Sequence, residues 1–81
     1  MRDTDFERLV GCFKKVFGNL SPGDIPAATH ESIAAWDSIA HITLLNLIRE
    51  EFNIDIDFDE FDGATSFAAI LDLIRSKTGD A

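Results

Sequence analysis

The sequence predicts a small all-α protein: a bundle of three main helices plus a short fourth helical turn, with a long loop between the first two helices. Apolar residues recur at helical spacing in three separate stretches of the chain. A chain of 81 residues has room for one small hydrophobic core, so we expect a single domain over residues 1–81. The one alternation of apolar and acidic residues, at 54–58, is too short and isolated to form a sheet.

The first predicted helix covers about residues 4–17, where apolar side chains form one stripe. The stripe consists of Phe6, Leu9, Val10, Phe13, Val16 and Phe17. Its start can be capped by Asp3, Thr4 or Asp5. Neither helical nor strand periodicity holds over residues 18–37, which predicts a long loop packed on the domain. We interpret Trp36 as a partly buried anchor of this loop.

The second predicted helix, about residues 38–52, has the broadest apolar surface. Asp37 is a good N-cap, and its charge suits the positive end of the helix dipole. Asn53 ends the helix. The side chains expected to face the core are Ile39, Ile42, Leu44, Leu45, Leu47, Ile48 and Phe52.

The rest of the chain is predicted to be an extended connector, a helical turn and a last helix. These elements cover about residues 54–58, 59–62 and 66–77, and the last helix ends near Lys77 and Gly79. We expect the connector to place Ile54, Ile56 and Phe58 in the core. Thr65 or Ser66 can cap the last helix, whose apolar face is formed by Phe67, Ile70, Leu71 and Ile74.

The charge of the chain limits its partners. The formal net charge is −8, and seven acidic residues lie between positions 50 and 62. Such a charge repels nucleic acids and anionic membranes and favours basic protein surfaces.

Cys12 is the only cysteine, so we expect a small buried side chain and no internal disulfide. No stretch approaches the roughly 20 apolar residues of a membrane span, and we expect a cytoplasmic monomer.

The sequence suggests two kinds of functional site, a calcium-binding loop and a serine hydrolase site, but it lacks residues that each of them needs. An EF-hand loop that begins at Asp55 would place Glu60 where glycine is needed and Ser66 where a glutamate is needed, so no metal site is expected. A serine hydrolase could use Ser38 with His41 one turn later, but the chain has no Gly-x-Ser-x-Gly elbow and no evident group to orient the histidine. We therefore expect no catalytic residues and interpret His41 as a surface residue.

Ser38 has two possible roles at the start of the second helix. On spacing alone, capping of the helix by Ser38 itself is the favoured interpretation, because serine before an apolar run is common. If Asp37 is the cap instead, the Ser38 hydroxyl stays exposed beside unpaired backbone N–H groups, which favour a nearby phosphate. In that case Ser38 can serve as the attachment point of a phosphate-linked group.

Three segments resemble the acyl carrier protein family. Residues 37–39 (Asp-Ser-Ile) resemble its Asp-Ser-Leu signature, whose serine carries a 4′-phosphopantetheine arm. A long irregular segment precedes them, and the apolar rhythm of the family's second helix follows. Residues 52–56 (Phe-Asn-Ile-Asp-Ile) and 65–67 (Thr-Ser-Phe) resemble later family segments, so the resemblance spans nearly the whole chain.

The resemblance implies that a phosphopantetheinyl transferase attaches 4′-phosphopantetheine to Ser38. The protein would then hold acyl intermediates as thioesters on this arm and present them to enzymes of fatty-acid, polyketide or other specialised biosynthesis, without catalysing a reaction itself. Its expected partners are an acyl-activating ligase or acyltransferase and ketosynthase-type or other acyl-processing enzymes. Two alternatives stay open: a D-alanyl or other aminoacyl carrier, and an unmodified helical interaction domain in which Ser38 is only a cap.

The second helix departs from fatty-acid carriers on its surface. Ala40, Thr43 and Arg49 stand where the family usually has acidic residues, and Asn46 replaces a usually apolar residue. These departures predict a specialised carrier whose partners differ from the common fatty-acid enzymes. Around the Asp37–Ile39 motif, the residues predicted to recognise partners are Ala40, His41, Thr43, Asn46, Arg49, Glu50 and Glu51.

Overall fold

The computed structural model describes residues 4–21 and 23–78 and contains four α-helices within them. They are α1 (Thr4–Val16), α2 (Ser38–Phe52), α3 (Phe58–Asp62) and α4 (Phe67–Thr78), with a short 3-10 helix (Ile25–Ala27) in the loop between α1 and α2. The described residues form no β-strand, only an isolated antiparallel bridge between Thr29 and Ser66. The predicted all-α bundle of three main helices and one short helix is therefore confirmed.

The helix bounds differ from the predicted ones by at most one residue, and those of α2 agree at both ends. The structure ends α1 at Val16 and starts α3 at Phe58, one residue earlier than expected in each case. Asp3, a predicted cap of α1, and Gly79, near the predicted end of α4, lie outside the described residues. Across the described part of the chain, no helix has both the length and the apolar character that crossing a bilayer would require.

An aromatic cluster forms the centre of the core between α1, α4 and the long loop. The rings of Phe17, Trp36 and Phe67 lie 5.9, 5.4 and 5.2 Å from the ring of Phe13, centroid to centroid. Trp36 is only 1% exposed, so the loop is anchored more deeply than the partly buried position that the sequence suggested. The end of the loop before α2 is thus fixed by large buried aromatic contacts.

Local side-chain chemistry explains where three of the elements begin or end. Asn53 has the left-handed conformation (φ 53°, ψ 48°) that terminates a helix, and asparagine tolerates it better than most residues. Ser66 caps α4, because its hydroxyl accepts a hydrogen bond from the Ala69 N–H at 3.1 Å. At the start of α3, the Asp57 N–H donates to the Glu60 carboxylate at 3.3 Å.

A salt bridge ties α3 to the end of α4. Lys77 Nζ lies 2.8 Å from Glu60 Oε1. The hydrogen bond from Lys77, with the one from the Asp57 N–H, holds the pKa of the Glu60 carboxyl below its ordinary value. Because both side chains are on the surface, we expect this pair to add little to stability.

The rotation of α2 about its axis differs from the predicted one. The side chains that α2 buries are His41, Leu44, Leu45, Ile48 and Phe52, which are spaced as one continuous helical face. Ile39 and Ile42, predicted to face the core, are 76% and 45% exposed. At the N-terminal end of α2, the buried face begins at His41, and Ile39 and Ile42 lie outside this face.

The connector before α3 is only partly as predicted. Ile56 is fully buried and Ile54 is half-buried, in agreement with the period-two pattern. Phe58 is 48% exposed, so its predicted place in the core is wrong. Phe58 is the first residue of α3, and Phe61, one turn later, is the α3 side chain that fills the core instead.

Cys12 is buried in α1, as predicted, at 4% exposure. Burial raises the pKa of its thiol to about 11, with the nearby Glu51 carboxylate adding to the effect. We expect iodoacetamide at pH 8 to alkylate the native protein at least about 100-fold more slowly than the urea-unfolded protein, because both access and thiolate are lost on folding. Equal rates, followed by intact mass, would show that the thiol is accessible.

Candidate functional site

The N-terminus of α2 is capped by Asp37. This residue has an extended backbone (φ −98°, ψ −173°), and its Oδ1 accepts a hydrogen bond from the Ala40 N–H at 2.9 Å. Its backbone carbonyl accepts from the His41 N–H at 2.9 Å, the first hydrogen bond of the helix. The predicted cap is confirmed, and the helix start needs no contribution from the neighbouring serine.

Ser38 is exposed and its hydroxyl has no hydrogen-bond partner among residues 4–21 and 23–78. The interpretation in which Ser38 itself caps α2 is therefore wrong. Within the same residues, the backbone N–H groups of Ser38 and Ile39 also have no acceptor, as is usual for the first turn of a helix. A free hydroxyl beside two free N–H groups at the positive end of a helix suits a phosphate ester.

Removal of the cap should be visible in stability. We expect Asp37→Ala to lower the free energy of unfolding by about 1 kcal/mol, because the Ala40 N–H loses its acceptor. Asp37→Asn is the matched control, since asparagine caps about as well as aspartate and removes the same charge. Urea unfolding followed by circular dichroism measures both variants, and equal losses would mean that the charge rather than the cap is responsible.

A small cleft opens beside Ser38 where four segments of the chain meet. Its volume is about 110 Å³, and its lining residues are His30, Asp37, Ser38, His41, Phe58, Asp62 and Thr65. The loop before α2 is held against the segment before α4 because the His30 N–H donates to the Thr65 carbonyl at 2.8 Å.

His41 lies in the core and lines this cleft from below. The Trp36 Nε1–H donates to His41 Nδ1 at 2.9 Å, and His41 Nε2 lies 3.0 Å from the Phe61 carbonyl oxygen. Because an indole N–H can only donate, Nδ1 is the acceptor and Nε2 carries the proton that is donated to Phe61. His41 is 7% exposed, so its predicted roles as a surface residue and a contact for partners are wrong.

The other residues predicted to recognise partners fall into three groups. Thr43, Asn46 and Glu50 are exposed on the outer face of α2. Ala40 is half-buried and packs against the core. The remaining two are exposed but paired: Arg49 lies 3.3 Å from Asp55, and Glu51 lies 2.8 Å from Arg8, which also donates to the Glu51 carbonyl.

Sequence reasoning missed an exposed apolar surface around Ser38. Ile39 follows Ser38 directly, Ile42 lies one turn later, and Phe58 reaches the cleft from α3. Their exposed fractions are 76%, 45% and 48%. Their apolar character alone suggested a core position, and only the rotation of α2 and the placement of α3 show otherwise. We call Ile39, Ile42 and Phe58 the apolar surface.

A small helical bundle that presents an exposed, unengaged serine at a separately capped helix start has the features of a carrier domain. A family model described as "phosphopantetheine attachment site" matches residues 7–74, and the chain therefore belongs to this family. Domains of the family carry a covalently attached 4′-phosphopantetheine group, which confirms the predicted resemblance and cofactor. Comparison with curated proteins gives no match, and neither does comparison with solved structures.

Proposed function

We propose that this protein is an acyl carrier in which Ser38 holds the phosphopantetheine arm and in which the chain itself catalyses no reaction. The observation that supports this most directly is the exposed Ser38 hydroxyl, left free because Asp37 caps α2. The family match supports a carrier with this cofactor. Ser38 is the serine of the Asp-Ser motif and has the accessibility that modification by another enzyme requires.

Attachment of the arm uses coenzyme A and a phosphopantetheinyl transferase. Ser38 Oγ attacks the phosphorus atom that bears the pantetheine, and a new O–P bond forms. The bond from that phosphorus to the bridging oxygen of the pyrophosphate breaks, and adenosine 3′,5′-bisphosphate leaves. The hydroxyl proton passes to a base of the transferase. This chain contributes the accessible hydroxyl and the two free N–H groups at the start of α2, which can stabilise the resulting phosphate diester.

The carrier's contribution to later steps is presentation rather than chemistry. The arm supplies a thiol at which an acyl group is held, and the tether raises the local concentration of that group at each partner enzyme. The bundle supplies a compact surface around the attachment point that partner enzymes can recognise.

We propose that partner enzymes dock on the apolar surface and on the neighbouring acidic residues. Ile39, Ile42 and Phe58 surround Ser38 and expose much of their area, which favours burial against an apolar recess. Acidic residues flank this surface on α3, at Asp59 and Asp62, both exposed. A partner that fits this arrangement has an apolar recess bordered by lysine and arginine side chains.

The exposed residues of α2 support the proposal that this carrier serves a specialised pathway. Thr43 and Asn46 are exposed there and uncharged, and the charge of Arg49 is offset by its contact with Asp55. Among the exposed residues of α2, negative charge is therefore confined to Glu50 and Glu51 at its far end. Enzymes that depend on acidic side chains close to the serine should bind this carrier weakly, whereas a dedicated ligase or ketosynthase-type partner can be matched to it.

The proposed function is tested by intact mass. Apo protein is incubated with coenzyme A and a phosphopantetheinyl transferase of broad specificity, and native mass spectrometry follows the product. We expect a gain equal to one phosphopantetheine group per chain. Ser38→Ala, which lacks the accepting hydroxyl, is the control and should show no gain in mass. No gain on the native protein would contradict the carrier function and favour an unmodified interaction domain.

A further inference from the structure

A buried hydrogen bond joins two residues that lie on either side of Ser38 in the sequence. Trp36 and His41 lie on either side of Ser38 in the sequence, and the bond from Trp36 Nε1–H to His41 Nδ1 joins them at 2.9 Å. Their rings lie 6.0 Å apart, centroid to centroid. The turn that bears Ser38 is therefore held between two side chains that are themselves fixed in the core.

The second nitrogen of His41 extends this connection to α3. His41 Nε2 lies 3.0 Å from the Phe61 carbonyl oxygen, and the His41 and Phe61 rings lie 4.5 Å apart, centroid to centroid, at 33° to each other. The residues of α3 that line the cleft beside Ser38, Phe58 and Asp62, flank Phe61 in the same short helix. His41 thus contacts both the loop before Ser38 and the helix across the cleft.

Packing alone does not account for a histidine at this position. The buried face of α2 is otherwise apolar, and a leucine at position 41 would continue it. A buried imidazole is accepted because both of its nitrogens are satisfied, and such bonds select one arrangement of the groups they join. With leucine, the Trp36 indole N–H would lose its acceptor, and the Phe61 carbonyl would lose the bond from His41 but keep its bond from the Ala64 N–H at 2.9 Å. The hydrogen-bonded connection between the two segments would then be lost.

We propose that His41 is a positioning residue for the modification of Ser38. Through its bonds to Trp36 and Phe61 it fixes the turn that carries the Ser38 hydroxyl relative to the α3 side chains across the cleft. The inference rests on the proposed carrier function. The reaction it serves is the transfer described above, in which Ser38 Oγ gains the bond to phosphorus. Because a displacement of about 1 Å in a reacting group can cost about 100-fold in rate, loss of this positioning should appear in kcat.

The test compares two substitutions of His41 in the full chain. His41→Gln keeps both hydrogen bonds possible, since the amide oxygen can accept from Trp36 and the amide N–H can donate to Phe61. His41→Leu keeps the volume and loses both. With a transferase of broad specificity and saturating coenzyme A, we expect His41→Leu to lower kcat for phosphopantetheine transfer at least about 10-fold, and His41→Gln to stay within about threefold of the unsubstituted protein.

A control for stability separates positioning from folding. Ile74→Val shortens a fully buried side chain of α4 that does not line the cleft, and it should leave kcat within about twofold. All rates are measured at a temperature at which circular dichroism shows each variant to be folded. If His41→Leu does not fold, Trp36→Phe tests the same bond, and it should lower kcat at least about threefold. Losses in Trp36→Phe and His41→Leu should not multiply in the double variant.

The outcomes are distinct. Unchanged kcat in His41→Leu, or in Trp36→Phe where the leucine variant does not fold, overturns the positioning role and leaves the carrier function intact. An equal loss in the glutamine and leucine variants overturns the role of the hydrogen bonds. If the unsubstituted protein gains no arm at all, the carrier function fails and the positioning role fails with it. The Trp36 indole N–H resonance should move upfield in His41→Leu, and an unmoved resonance contradicts the bond itself.

Discussion

Phe13→Ala will remove a large part of the free energy of unfolding of this protein. Phe13 is fully buried and its ring meets those of Phe17, Trp36 and Phe67 at the centre of the core. Replacing a buried phenylalanine by alanine costs about 3–5 kcal/mol, and a domain of this size has a total stability of only about 3–8 kcal/mol. Urea unfolding followed by near-ultraviolet circular dichroism of Trp36 measures the loss directly.

Phe58→Ala is the matched control for this prediction. The same side chain is removed, but Phe58 is 48% exposed at the start of α3 and lies outside the core. We expect a loss below about 2 kcal/mol, because only about half of the Phe58 side chain is removed from water in the folded protein. A similar loss in both variants would contradict the assignment of Phe13 to the core and of Phe58 to the surface.

Ser38→Ala will abolish attachment of the phosphopantetheine arm and leave the fold unchanged. The substitution removes the only atom that forms the bond to phosphorus in the proposed function. Because Asp37 caps α2 and the Ser38 hydroxyl bonds no described residue, we expect the free energy of unfolding to change by less than about 0.5 kcal/mol. Intact mass after the transferase reaction and urea unfolding of the same sample give both results.

Ser32→Ala is the control for a general effect of serine removal. Ser32 is also exposed, but its hydroxyl is engaged with Thr29 in the long loop, where it accepts from the Thr29 N–H at 3.0 Å. This variant should take up one arm like the unsubstituted protein. A stability loss above about 1 kcal/mol in Ser38→Ala would contradict the division of roles between Asp37 and Ser38.

The start and end of α2 could be predicted from the sequence because they depend on neighbouring residues. Asp37 caps the helix through a bond to Ala40, three residues away, and Asn53 ends it through its own backbone conformation. Ser66 caps α4 in the same local way. Because no distant part of the chain takes part in these contacts, residue types and spacing were enough to predict where these helices begin and end. They did not decide which residue caps α2: spacing alone favoured Ser38, and the structure shows that Asp37 is the cap.

The surroundings of Ser38 could not be predicted, because they depend on distant segments. A histidine is normally assigned to the surface, and His41 is buried only because Trp36 supplies a donor and the Phe61 carbonyl, twenty residues away, supplies an acceptor. The same packing sets which face of α2 is turned toward the core, and it leaves Ile39 and Ile42 outside the core. Hydropathy gives the apolar residues of a helix but not which of them the neighbouring elements will cover.

The attachment point of the arm is tested most directly by mapping the modification on the chain. The protein is modified with coenzyme A and a transferase, digested, and sequenced by fragmentation mass spectrometry under conditions that preserve the phosphate diester. We predict that the arm lies on Ser38 alone and that the peptides containing Ser21, Ser32, Ser66 and Ser76 are unmodified. An arm on any of those serines, or on none, would contradict the proposal that Ser38 is the attachment site.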